Sequence, residues 1–185
     1  AISQDGNTIV GGAGDEDCYK GGINPQGCDN DAKLDSSTGA AYVFVRDAEG
    51  KWSEQAFLKA SHPGKEDWFG SRLALSGDGN TIAVSAQLEN GNSKGLNGNE
   101  TDLTAEDSGV VYLFSRTGTT WKQEAYVKGS NTEAYDEFGA GPALNKDGKI
   151  MAIGARGEAS AAKGLNGDQK DNSAMGAGAV YIFTR

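Results

Sequence analysis

Apolar and polar positions alternate along this chain in short runs separated by tight polar turns. From Phe69 to Ala86 the sequence FGSRLALSGDGNTIAVSA reads as an apolar run, a turn and a second apolar run. Asp78-Gly79 lies in that turn, where Gly tolerates positive φ and Asp can bond its own backbone, so the stretch predicts a β-hairpin. The pattern goes on to predict strands over Phe69–Ser76, Thr81–Ala86, Val110–Arg116 and Trp121–Lys128. A long polar loop, from about Gln87 to Ser108, joins the second strand to the third. No stretch carries a 3.6-residue period, so the chain is predicted all-β with little helix.

The third strand is apolar on both faces, with Tyr112 and Phe114 on one side and Val111 and Leu113 on the other. A strand covered on both sides belongs inside a stack of sheets. The fourth strand, WSEQAFLKA in one place and WKQEAYVKG in another, is more polar, as an outer edge is. Pro142 has no N–H to give to a ladder, so the first strand of its unit also has a free side. Four strands with two outer edges describe a propeller blade.

The unit repeats. GAAYVFVR (Gly39 to Arg46), GVVYLFSR (Gly109 to Arg116) and GAVYIFTR (Gly178 to Arg185) are copies of the third strand. Trp52 to Trp121, Phe69 to Phe138 and Asp78 to Asp147 are each 69 residues apart (121 − 52, 138 − 69, 147 − 78). So many anchors at one offset establish a period of about 69 residues. The period predicts about two and a half blades of four antiparallel strands in one propeller-type domain. Residues 1–60 form a partial blade whose inner strand is mostly missing, 67–128 a complete blade, and 136–185 a partial blade without its outer strand. Such a chain is expected to be a fragment of a longer protein, or a subunit that assembles with its own copies, because its strand edges are open.

These motifs carry a resemblance. Asp67, Phe69 and Gly70, again Asp136, Phe138 and Gly139, then ALSGDGNT, a Gly-Ala pair at Gly12-Ala13 and Gly154-Ala155, and GAVYIF together resemble FG-GAP repeats. Those repeats build the propellers of integrin α-subunits and occur in bacterial surface proteins. The resemblance implies a non-enzymatic binding or adhesion scaffold, secreted or on the cell surface. It also brings up calcium, because the integrin version of the turn is a DxDxDG loop. The present turn departs from that pattern: Ala74 stands where the first Asp belongs and the turn is about one residue short. Asp5, Asp78 and Asp147 therefore read as residues of plain β-turns.

Charge and cysteine usage narrow the partners. The net charge is −9, with no run of basic residues, which excludes a nucleic-acid footprint and an anionic membrane surface. No apolar stretch is long enough to enter a membrane. Gly makes up 28 of the 185 residues, in keeping with many tight turns. Cys18 and Cys28 are too far apart for CxxC chemistry, and His62 is the one His available to complete a zinc site. They read as a local disulfide pinning a loop in an oxidising compartment, with unlinked thiols the alternative.

The long loops hold the candidate chemistry. Glu16, Glu89 and Glu158 share offsets of 73 and 69 (89 − 16, 158 − 89). Asn24, Asn97 and Asn166 keep the same offsets, as do Asp29, Asp102 and Asp171. Two readings stand. Hard oxygen ligands at fixed positions could bind one calcium per blade, most readily in the first loop, where Asp15, Asp17 and Asp31 add further acids. Alternatively these side chains bond loop backbone and give a structureless segment its shape. Catalysis has little support: His62 sits in a turn beside Pro63, and no nucleophile elbow is present. The expected function is a scaffold recognising protein or glycan through the loop face. A structural subunit that binds further copies of itself is the alternative, and a propeller-type hydrolase is disfavoured.

Overall fold

The computed structural model describes residues 1–28 and 36–185. It contains ten strands and, among the described residues, no helix. They are β1 (Thr8–Ala13), β2 (Ala40–Arg46), β3 (Trp52–Leu58), β4 (Phe69–Leu75), β5 (Thr81–Ala86), β6 (Val110–Thr117), β7 (Thr120–Val127), β8 (Phe138–Leu144), β9 (Ile150–Ala155) and β10 (Ala179–Thr184). The predicted strands of the middle unit agree with β4 to β7 to within a residue.

Every pairing between named strands is antiparallel. The middle sheet has the order β4-β5-β6-β7, flanked by β1-β2-β3 and β8-β9-β10. β1 and β9 stand where β5 stands, and β2 and β10 where β6 stands. In the first sheet Ile2 bridges to Ile9, and Ala1 and Val10 exchange backbone hydrogen bonds. The architecture is that of partial propeller blades, without a closed ring.

The Asp-Gly turns hold themselves together. Asp78 Oδ1 accepts the Ser76 hydroxyl at 2.5 Å and the Asn80 N–H at 3.0 Å, while Ser76 Oγ accepts the Thr81 N–H at 2.9 Å. Asp5 repeats this with Ser3 and Asn7. Asp147 and Asn145 do the same work with the N–H groups of Lys149 and Ile150. These hydrogen bonds favour the ionised carboxyl and hold Asp5 and Asp147 below the usual carboxylate range. The turns also link neighbouring sheets, because the Asp78 N–H donates to the Lys146 carbonyl.

The sheets stack face to face around two apolar clusters. Val10, Ala41 and Val43 of the first sheet pack with Phe69, Tyr112 and Phe114 of the second. Val111 and Leu113, on the opposite face of β6, pack with Phe138, Met151, Ile153 and Tyr181 of the third. β5 and the first five residues of β6 are buried throughout, as the two-sided apolar pattern predicts. The Phe of each FG pair anchors its sheet. Phe69 meets Tyr112 and Phe114 edge-on at 5.5 and 6.1 Å, and Phe138 meets Tyr181 and Phe183 at 5.5 and 6.2 Å. Each such burial is worth roughly 2–3 kcal/mol before the added aromatic geometry.

Glycine is required where one sheet hands over to the next. Gly109 has φ +75°, and a Cβ there would lie 2.2 Å from the Phe138 carbonyl oxygen. Gly39, at φ +81°, has the same relation to Phe69. Pro142 is buried in β8, an edge strand, within the irregular pairing between Ala140 and Ala143, where no ladder N–H is needed.

Candidate functional site

The long loops between the second and third strands leave the same end of the sheets as the connections that lead from each fourth strand to the next sheet. The two sets touch: Ser61 and His62 of one connection meet Glu100 of a loop, and the Trp68 N–H donates to Ser37. His62 is exposed, as a turn residue is expected to be.

At the root of the middle loop is a buried ion pair. Lys128, immediately after β7, is 0% exposed, and Glu89 is 3% exposed. Lys128 Nζ donates to Glu89 Oε2 at 2.9 Å and to the Ser108 hydroxyl at 2.7 Å. The Tyr126 hydroxyl donates to Glu89 Oε1 at 2.8 Å. The first sheet repeats this centre with Lys59, Glu16 and Thr38: Lys59 Nζ contacts the Glu16 carboxylate and donates to Thr38 Oγ1 at 2.8 Å. Burial pulls both lysines below their ordinary value, and the facing glutamates oppose that shift. A buried charge held this way is costly to lose on one side only, since the partner then stays unpaired in a dry site.

A second clamp ties the same loop to the same fourth strand. Asn97, at φ 54°, donates its N–H to the Tyr126 carbonyl and accepts the Tyr126 N–H on Oδ1. Asn24, at φ 50°, does this with Phe57. Leu96 bridges to Val127 and Ile23 to Leu58. Each complete loop is thus sewn to its fourth strand by an Asn, an aliphatic residue and a Glu–Lys pair.

The third sheet has the loop and lacks the strand beside it among the described residues. Glu158, 2% exposed, receives Asn131 Nδ2 on Oε1 at 2.9 Å and the Ser160 N–H on Oε2 at 3.1 Å. A neutral amide therefore faces the carboxylate where the other two repeats have an ammonium. Asn166 keeps φ 53° without a strand to clamp.

Several other loop acids bond within their own loops. Asp102 accepts the Thr104 hydroxyl at 2.7 Å, and Asp171 accepts the Ser173 N–H at 2.9 Å. Asp17 accepts the Ser36 and Ser37 N–H groups, and its counterpart Asn90 accepts the Asp107 N–H. Asp29 and Asp31 lie outside the described residues. Among the described residues no group of three or more Asp, Glu, His or Cys side chains converges on a point where a metal ion could sit. Among the described residues the shared register does not bring Glu and Asp together: Glu16 and Glu89 go inward to Lys, Glu158 to Asn131, and Asp102 and Asp171 bond within their loops. Cys18 and Cys28 are joined in a disulfide with a Cα–Cα distance of 5.2 Å, closing the first loop on itself.

Two further acids lie between sheets. Asp67, buried and accepting the Gly64 N–H, is pushed up to about 7, chiefly by burial. Asp136 is its counterpart one repeat on, and burial raises it to about 6. Sequence reasoning saw both only as part of the DxFG signature. It missed Lys59 and Lys128 altogether, although FLKA and YVKG place a Lys at one offset at the ends of two otherwise apolar strand termini.

Strands stacked as partial blades, repeated at a fixed period, define a propeller-type repeat protein. The family model for the FG-GAP repeat matches residues 52–114, and over that stretch the chain is similar to FG-GAP repeats. The matched segment runs from β3 through β6, so it spans the handover between two sheets. No curated protein matches the chain.

Proposed function

We propose that this chain is an extracellular binding scaffold that recognises protein or glycan ligands with the loop-bearing end of its sheets. The observation that carries this reading is the exposure of large apolar side chains at that end. Tyr19, Leu96 and Leu103 stand out on the loops, and Trp68 and Tyr135 on the connections. Exposed aromatics on well-anchored loops suit protein hot spots and sugar stacking. The FG-GAP repeat is of the kind that serves as a non-enzymatic scaffold. The disulfide suits an oxidising compartment, and among the described residues no helix is long and apolar enough to cross a membrane.

The reading does not depend on calcium, since Lys59 and Lys128 already supply positive charge to Glu16 and Glu89. A calcium ion at the remaining loop acids is tested by melting with and without EDTA, because a ligand bound only to the native state must raise its Tm. An unchanged Tm removes calcium from the account. Recognition is tested on a printed glycan array and a panel of purified extracellular-matrix proteins. Saturable binding that is lost in Trp68→Ala and Tyr135→Ala supports the loop face. Absence of saturable binding, or binding that both variants leave intact, overturns it.

A further inference from the structure

A cleft of about 580 Å³ opens between the first and middle sheets, where the first loop, the second loop and the connection between them meet. Exposed Tyr19 comes from the first loop, exposed Leu103 and half-buried Asn90 from the second, and Pro63 and buried Asp67 from the connection. We propose that this cleft binds one neutral sugar residue of a glycan, with the Asp67 carboxyl and the Asn90 amide bonding its hydroxyls and Tyr19 and Leu103 packing on its C–H surface. The inference rests on the loop-face reading and names the ligand class and its place within it.

Three observations carry it. First, hydrogen-bonding capacity is left over in the cleft. Asp67 is 4% exposed, and its Oδ2 accepts the Gly64 N–H at 2.6 Å, whereas Oδ1 accepts no hydrogen bond from a described residue. Asn90 uses Oδ1 on the Asp107 N–H at 2.8 Å, and its Nδ2 donates to no described residue. Buried polar groups are nearly always bonded, so an open acceptor and an open donor beside a cavity call for a polar ligand. Tyr19 and Leu103 add apolar surface that water alone does not use.

Second, the charges around the cleft are already answered. Lys65 lies 3.2 Å from Glu66 Oε1, and His62 Nδ1 lies 3.1 Å from Glu100 Oε2. Burial, with Glu89 nearby, keeps the Asp67 carboxyl protonated up to about pH 7. A protonated carboxyl both donates and accepts, as sugar hydroxyls do, and a neutral ligand needs no counter-ion here.

Third, the next junction along the chain is tied shut. His62, Gly64 and Leu103 have Asn131, Glu133 and Asn172 as counterparts, at one offset of 69 (131 − 62, 133 − 64, 172 − 103). There Asn172 Nδ2 donates to Glu133 Oε2 at 2.5 Å, joining loop to connection directly. Gly64 and Leu103 have no polar side-chain atoms to make that bond, and the first junction stays open. Its volume is within the range of about 300–1,000 Å³ that small-ligand sites occupy. The Cys18–Cys28 disulfide fixes the residue next to Tyr19, which lowers the ordering cost of binding.

The test uses the full 185-residue chain and the methyl glycosides of glucose, galactose, mannose and N-acetylglucosamine, read by amide chemical shifts. One of these glycosides should bind saturably and shift Tyr19, Asn90 and Leu103. Its binding should weaken about tenfold in Tyr19→Ala and in Leu103→Ala, and further in Asp67→Ala. Lys122→Ala, on the outer strand β7, should change nothing. Tyr19 and Leu103 are exposed, so their variants keep the test decisive if Asp67→Ala fails to fold. Saturable binding that the cleft variants leave intact overturns the cleft as its place, and no saturable binding by any glycoside overturns the inference as a whole. Neither result decides the loop-face reading, which stands or falls on whether array or matrix-protein binding is lost in Trp68→Ala and Tyr135→Ala.

Discussion

The middle and third sheets share a sequence pattern and differ in what their loop glutamates meet. In the middle sheet Glu89 faces Lys128, Ser108 and Tyr126 cluster around the pair, and the fourth strand is sewn to the loop. In the third, Glu158 is equally buried but is held by Asn131 and Ser160, and Asn166 keeps the backbone conformation of Asn97. The carboxylate is buried in both, and where Lys128 faces it the ion pair attaches strand to loop. Local bonds such as Asp171 to the Ser173 N–H hold the third loop within itself.

The sharpest way to break this contrast is to remove one side of the middle pair. Lys128→Met leaves Glu89 buried and uncompensated, and is expected to cost about 3–5 kcal/mol in denaturant unfolding. A loss under ~1 kcal/mol would mean the pair is not sealed from water.

Next in size is a dependence on pH. Asp67 and Asp136 have folded values above their ordinary one of 3.8, near 7 and 6. Between 3.8 and about 7 the native state keeps protons that the unfolded chain has released, so stability falls as pH rises through that window. The fall is on the order of 2–4 kcal/mol, and Asp67→Asn should flatten most of it. A variant with an unchanged slope would contradict the burial of this carboxyl.

The first sheet sharpens the comparison from another side, because its loop alone has a disulfide. Replacing Cys18 and Cys28 by Ser is expected to cost about 2–3 kcal/mol, the entropy of a closed loop of this length. Hydrogen exchange should place the loss in the first loop and leave Gln87–Ser108 untouched. The smallest expected effect is that of Glu158→Gln, under ~1 kcal/mol, since no ammonium is orphaned. A loss as large as that of Glu89→Gln would erase the distinction between the two sheets.

Much of the fold was legible because the signals are local. Strand boundaries follow from apolar runs broken by Asp-Gly turns, and stacking follows from the two-sided apolar pattern of Val110–Phe114. The period of about 69 then carries each reading to its copies. The site was half legible. The offsets pick out Glu16, Glu89 and Glu158, but the lysines that meet Glu16 and Glu89 lie 43 and 39 residues away in sequence. A lysine at the end of a polar edge strand is by default a solvated one. Only the sheet register, with Tyr126 opposite Tyr112 and Val127 opposite Val111, places Lys128 beside the loop. Asp102 and Asp171 follow the same offset for a different reason: each closes its own short turn.

The central claim is that the buried glutamate and lysine act as one unit holding strand to loop. A double-mutant cycle of Glu89→Gln and Lys128→Met, read by urea unfolding, tests it most directly. Each single change should be strongly destabilising, and the double should fall short of their sum by at least ~2 kcal/mol, because no charge is then left buried alone. Additivity within about 0.5 kcal/mol would show that the two residues contribute separately, and would contradict the account.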